Sequence, residues 1–151
     1  KDWGRSFPQS WIWMQANHFS SQRASFLFSI ARIPWLGSAF TGLICFLRTD
    51  EGFYRFATYN GGRVCELVSE TDQIKGTLKN ATHTLAFTAM YAKGGILKAP
   101  KNGMMLREIE ESITAKVTVT LLDRHGNVLF QDESSRVGME IAGDLSRLLS
   151  R

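Results

Sequence analysis

Ile113-Thr114-Ala115-Lys116-Val117-Thr118-Val119-Thr120-Leu121-Leu122 decides the fold class by its period of two. Ile113, Ala115, Val117, Val119 and Leu121 fall on one face. Thr114, Lys116, Thr118 and Thr120 fall on the other. Successive side chains of a strand point to opposite faces, so the stretch predicts a half-buried strand with one wet face. Its β-branched residues suit a pleated surface. Asp123-Arg124-His125-Gly126-Asn127 then reads as a turn, with Val128 to Ser134 as the return strand and Val137 to Ile141 as a short further one.

The same pattern extends towards the amino terminus. Trp11 to Phe19 alternates, with Trp11, Trp13, Gln15, Asn17 and Phe19 on one face and Ile12, Met14, Ala16 and His18 on the other. Ser25 to Ile33 follows, broken by Pro34-Trp35-Leu36-Gly37. Phe40 to Arg48 carries Gly42, a signal for a bulge or close approach. Thr49 to Gly52 turns into Phe53 to Tyr59, and Asn60-Gly61-Gly62 is a hairpin signal because positive φ is cheap there. Arg63 to Ser69, Gln73 to Lys79 and Thr82 to Tyr91 are further strands. Residues 93–103 are looser, and Met104 to Ser112 has room for one helical turn. Asp144 as N-cap, with Leu145, Leu148 and Leu149 on one face, predicts a short terminal helix. Nine or ten short strands at tight spacing predict an all-β, antiparallel barrel with a ligand cavity, and a β-sandwich as the alternative.

Composition sets the outer limits. The 151 residues are one domain by length, and such a chain buries roughly 70% of its unfolded surface. Eighteen basic and fourteen acidic residues leave +4, spread singly along the chain. Without a basic patch or stripe, a nucleic-acid partner is not expected. The two cysteines, Cys45 and Cys65, lie outside any Cys-x-x-Cys pair, so zinc is not expected. They read as free thiols in apolar strands, with a disulfide left open. No metal and no cofactor is expected. No apolar run reaches the roughly 18–20 residues of a membrane span and no signal peptide is visible. The expectation is a cytoplasmic chain without an integral membrane segment. No G-x-S-x-G elbow, phosphate loop or H-E-x-x-H is present. His125 reads as a solvated turn residue. His18 and His83 fall in strands, where either can be an acid or base lining a cavity or a hydrogen-bonded strand histidine.

The amino-terminal segment is the most unusual. Three of the four Trp, namely Trp3, Trp11 and Trp13, lie within thirteen residues. Trp11 and Trp13 beside Gln15 and Asn17 suit an apolar ligand with a polar head. The competing reading places the Trp residues in the core and the amides against a crossing loop. The segment resembles the tocopherol cyclase-like family, whose signature is K-x-W-G-x-x-F-P-x-x-W-x-W-x-Q-x-N-x-F. Lys1, Trp3, Gly4, Phe7, Pro8, Trp11, Trp13, Gln15, Asn17 and Phe19 supply every fixed element. Asp2 stands where the plant enzymes look more like Asn. Resemblance to bacterial members continues through Ile33 to Gly37, Tyr54 to Tyr59, Ala99-Pro100 and Gly138-Met139-Glu140.

The resemblance implies a lipocalin-like or barrel-like fold. It also implies that residues 1–151 are the carboxy-terminal half of a longer two-domain protein, the other partner being the missing amino-terminal domain. The plant enzymes close a chromanol ring on a prenylated quinol. That chemistry needs an acid to protonate an alkene, an aromatic wall for the cation and exclusion of water. Asp2, His18 and Glu140 are the candidate acids; Trp3, Trp11, Trp13, Gln15 and Asn17 are the candidate ligand contacts. Glu140 lies in a short apolar strand, where burial raises a carboxyl pKa. A broader likeness to carotenoid-hydratase-like proteins also points to isoprenoid or lipid ligands. Three readings compete: a binding module for an apolar isoprenoid or prenylated aromatic ligand, an acid-catalysed cyclase, and a structural domain whose apolar edge makes the isolated chain a homodimer.

Overall fold

The structure, a computed structural model, describes residues 7–101 and 103–149. Ten strands follow in order: β1 (Trp11–Ala16), β2 (Ala24–Trp35), β3 (Ser38–Thr49), β4 (Phe53–Ala57), β5 (Arg63–Ser69), β6 (Gln73–Lys79), β7 (His83–Met90), β8 (Gly95–Lys101), β9 (Met104–Asp123) and β10 (Val128–Ala142). A single helical turn, α1 (Ser146–Leu149), ends them. The ladder runs β4-β3-β2-β1-β10-β9-β7-β6-β5, with β8 paired to β9 beside that path. Each of these pairings is antiparallel.

Alternation builds the core. Ile12, Met14 and Ala16 of β1 are fully buried, as are Phe26 and Phe28 of β2 and Cys45 and Leu47 of β3. They join Leu85, Phe87, Val117, Val119 and Leu121 in one cluster. The sheet therefore curls around its own apolar face. Phe28 of β2 meets Phe87 of β7, four ladder steps away, with ring centroids 4.7 Å apart. These side chains fill the inner face, and the Trp11–Trp13 face expected to meet a ligand is the opposite one.

The curl stops short of a closed barrel. No backbone pairing joins β4 to β5 among the described residues. Side chains bridge the seam in part, beside an open cleft of about 460 Å³ between β3 and β5. Thr58 Oγ1 accepts from the Leu43 amide at 2.8 Å, where a ladder partner would otherwise sit, and Leu148 of α1 reaches the core between β3 and β5. Asn80, in the β6–β7 turn, donates from Nδ2 to the Arg55 carbonyl of β4 at 2.9 Å. The short terminal helix is present, with Asp144 Oδ1 accepting from the Ser146 amide. Neither Cys45 nor Cys65 forms a disulfide.

Three local expectations change. The helical turn at Met104 to Ser112 is instead the first half of β9, and the looser stretch before it contains β8. Gly103, at φ 83°, supplies the turn, and Pro100 is tolerated because β8 pairs on one side only. Ile113 does not share a face with Ala115. It is 72% exposed, because the register slips between Met139↔Ser112 and Val137↔Ala115. The slip is a bulge on β9, and Ser112 Oγ accepts the Thr114 amide there at 3.2 Å. Asn17, expected on the Trp face, lies beyond the end of β1 and is exposed.

Candidate functional site

The side chains of β1 that turn away from the core are Trp11, Trp13 and Gln15, a result of strict alternation against Ile12, Met14 and Ala16. Large indoles on an outer face need cover, and the first half of β9 with β8 supplies it. Trp11, Ala99, Ile109 and Ala142 are buried together, with Phe7, Trp13 and Ala31 against them. Phe7 meets Trp11 edge-on, with centroids 5.5 Å apart and planes at 84°, a favoured aromatic geometry. The Arg107 guanidinium lies 4.5 Å from the centroid of the Trp11 ring. It donates to the carbonyls of Pro8 at 2.7 Å and Gln9 at 2.6 Å. One planar fork thus clamps the entering chain to β9 while stacking on the indole. Partial burial holds the Arg107 pKa below its ordinary value.

Glu140 stands in this layer. Its β10 position pairs with Trp13 on β1 and with Glu111 on β9. Trp11 Nε1 donates to Glu140 Oε2 at 3.2 Å. Burial pushes the carboxyl above the usual carboxylate range. The Trp11 hydrogen bond opposes that shift, and the charge of Glu111 adds to it. Trp13 lies across Gly138, where an added Cβ would stand 3.2 Å from its Cζ3; glycine leaves room for the ring.

Between β1, β2 and β8 runs an open cleft of about 660 Å³, within the range of small-molecule sites. Phe7, Trp11, Trp13 and Ile109 give it apolar walls, and Ser29, Lys98 and Glu140 are its polar groups. Lys98 is held at 2.5 Å by Glu108 in an exposed ion pair. Among the described residues no group of three His, Cys, Asp or Glu is arranged to hold a metal ion.

The structure thus gathers Trp11, Trp13 and Glu140 and separates the other candidates. Gln15 shares the strand face but does not line the cleft. His18 and Asn17 are exposed beyond the far end of β1. Asp2 and Trp3 lie outside the described residues. His83 packs edge-on against Tyr54 at 5.0 Å and is 2.7 Å from Thr82 Oγ1 through Nδ1. His125 is exposed in the β9–β10 turn. Sequence reasoning missed Phe7 as a cleft wall, together with Lys98, Arg107, Ile109 and Glu111. Four of these belong to the β8–β9 hairpin, whose signal was Gly103 between two apolar stretches.

Residues 1–143 match the family model described as tocopherol cyclase-like. No solved structure matches the chain.

Proposed function

The chain belongs to the tocopherol cyclase-like family, and from that membership we propose that the Trp11–Trp13–Glu140 cleft binds an apolar isoprenoid or prenylated aromatic molecule and closes a ring on it. The observation that carries this is Glu140: a carboxyl with a raised pKa, tethered to an indole, in an aromatic-walled cleft. A carboxylic acid kept neutral is a proton donor. The Trp11 N–H occupies Oε2, which leaves Oε1 to carry the proton. Protonation of the trisubstituted alkene forms a C–H bond and a tertiary cation, which the Trp13 ring face stabilises. The phenol oxygen then bonds to the cationic carbon and returns its proton to the Glu140 carboxylate. The product is an isomer of the substrate, so no oxidant, metal or cofactor takes part. The curled sheet serves as an open barrel-like scaffold that presents the cleft on its outer face.

A second reading, binding without turnover, is favoured by the openness of the cleft, since cation chemistry needs water kept out. One experiment separates the two. A prenylated hydroquinone is titrated against tryptophan emission, and ring closure is followed by chromatography. Trp13→Ala is expected to lose quenching by tenfold or more, roughly the effect of removing a buried aromatic contact. Glu140→Gln is expected to keep quenching and lose product. Quenching without product in the unaltered chain selects the binding reading; undiminished quenching in Trp13→Ala overturns both.

A further inference from the structure

We propose that the two hairpins overrunning the sheet at the Trp11 end dock on an anionic lipid bilayer. The register places them together. Trp11 pairs with both Ala31 and Ala142, so residues 32–35 of β2 run past β1. The β9 pairing with β10 ends at Glu110↔Ile141, so residues 104–109 run past β10 at that same end.

The β2–β3 tip is the two-residue turn Leu36-Gly37, with φ of 45° and 78°. Paired positive φ is the turn pattern that favours Asn-Gly, and φ above zero is uncommon for a bulky residue. Leu36 adopts it while 89% exposed, beside Trp35 at 64%. A leucine there goes against both backbone preference and hydration, and such outliers cluster at functional sites. The β8–β9 tip repeats the exposure. Met104, Met105 and Leu106 are 58%, 57% and 63% exposed. They are consecutive on a strand, so they point to both faces of the hairpin.

That last feature selects the occupant. A protein partner laid on a hairpin covers one face, whereas immersion in an apolar slab covers both. Charge selects the lipid. With Lys98 and Glu108 cancelling as an ion pair, residues 31–41 and 99–107 carry Arg32, Lys101 and Arg107 and no acid, and cations beside an apolar tip are drawn to anionic headgroups. The cleft is lined by Ala31 of β2 and by Leu97 and Lys98 of β8, next to the two overruns, so a ligand dissolved in lipid would reach it from the membrane side. The docking stands on the hairpins alone and does not need that ligand.

Flotation of the chain with phosphatidylcholine vesicles, with and without phosphatidylglycerol, tests the proposal. The chain is expected to float with the anionic vesicles and to be released by salt. Leu36→Asp with Met105→Asp should lower the bound fraction about tenfold, as loss of two inserted apolar side chains requires. Trp35→Ser, which keeps the turn, should lower it in the same direction. Val128→Ser, an exposed change at the other end of the sheet, should leave it unchanged. Absence of flotation overturns the proposal, as does flotation undiminished in both tip variants. A chain that stays unbound but runs as a dimer, and as a monomer once the tip is charged, assigns the patch to a second copy and overturns it also. Quenching at Trp13 is read separately, so failure of the cleft reading leaves the flotation result standing.

Discussion

Glu140 has a folded-state pKa above its unfolded value, since burial first and Glu111 second disfavour the charge. The folded chain therefore keeps this proton to higher pH than the unfolded chain. Its contribution to stability is complete below the ordinary carboxylate pKa and is lost as pH rises through the folded value. Glutamine carries no such charge. The Tm of Glu140→Gln should therefore gain on that of the unaltered chain as pH rises from 4 to 8, in paired thermal melts; a constant difference would remove the argument for a poised acid. Lys98 lines the same cleft but is engaged with Glu108, which leaves Glu111 as the charge facing Glu140 from β9. Asp132 runs the other way. It is 8% exposed, and burial by itself raises its pKa. The amides of Ser21, Glu133 and Gln22, bonded at 2.8–2.9 Å, outweigh that and hold it low. Its stabilisation is present above the ordinary Asp range and fades as pH falls through the folded value. Asp132→Asn should cost about 1–2 kcal/mol at neutral pH by weakening these charge-assisted bonds, and should cost less in acid, as denaturant midpoints at both pH values would register.

At the scale of the element, β9 shows what alternation can and cannot reveal. Residues 115–121 follow the period of two and are buried at every second position. The period does not reveal where a bulge falls, because a bulge depends on the partner strand, and β10 carries an irregularity of its own between Ser134 and Val137. Val119→Ala should therefore cost about 1–3 kcal/mol as a cavity-forming change, whereas Ile113→Ala should stay within about 0.5 kcal/mol; urea melts of the two compare them directly. Most strand segments were legible because Gly, Asn and Asp turns separate them. Trp11, Trp13 and Glu140 were legible as candidates because two of them alternate on one strand and the third sits in an apolar one. Phe7 and Arg107 were not recognised, since their roles come from a hairpin that folds back across the sheet, roughly a hundred residues away along the chain. Arg107 can be weighed by substitution. Arg107→Ala removes two charge-assisted bonds and an indole contact, and should cost about 2–3 kcal/mol. Tryptophan emission should shift to the red as Trp11 gains water. Arg107→Lys should recover only part of this, because an ammonium does not reproduce the fork.

The whole molecule depends on how sharply one sheet can bend. Antiparallel neighbours and a wet outer face were expected from composition and turn spacing, but closure was not decidable from them. Curvature is set by which side chains meet across the interior. Phe87 supplies the contact, lying between Phe28 at 4.7 Å and Phe26 at 6.0 Å. Gly76, its direct partner on β6, makes room for it: a Cβ there would fall 2.4 Å from two Phe87 ring atoms. Glycine in a strand is ordinarily a weakness, and alanine would relieve its entropic cost by roughly 0.5–1 kcal/mol. Here the ring has nowhere to retreat except into Phe26 and Phe28, so overpacking wins. Gly76→Ala should destabilise by about 1–3 kcal/mol. A double-mutant cycle distinguishes this from a general intolerance of β6. With Phe87→Leu in place the clash is gone, and Gly76→Ala should become neutral or stabilising. Equal costs in the two backgrounds would mean that the bend is held by something other than this ring over this glycine.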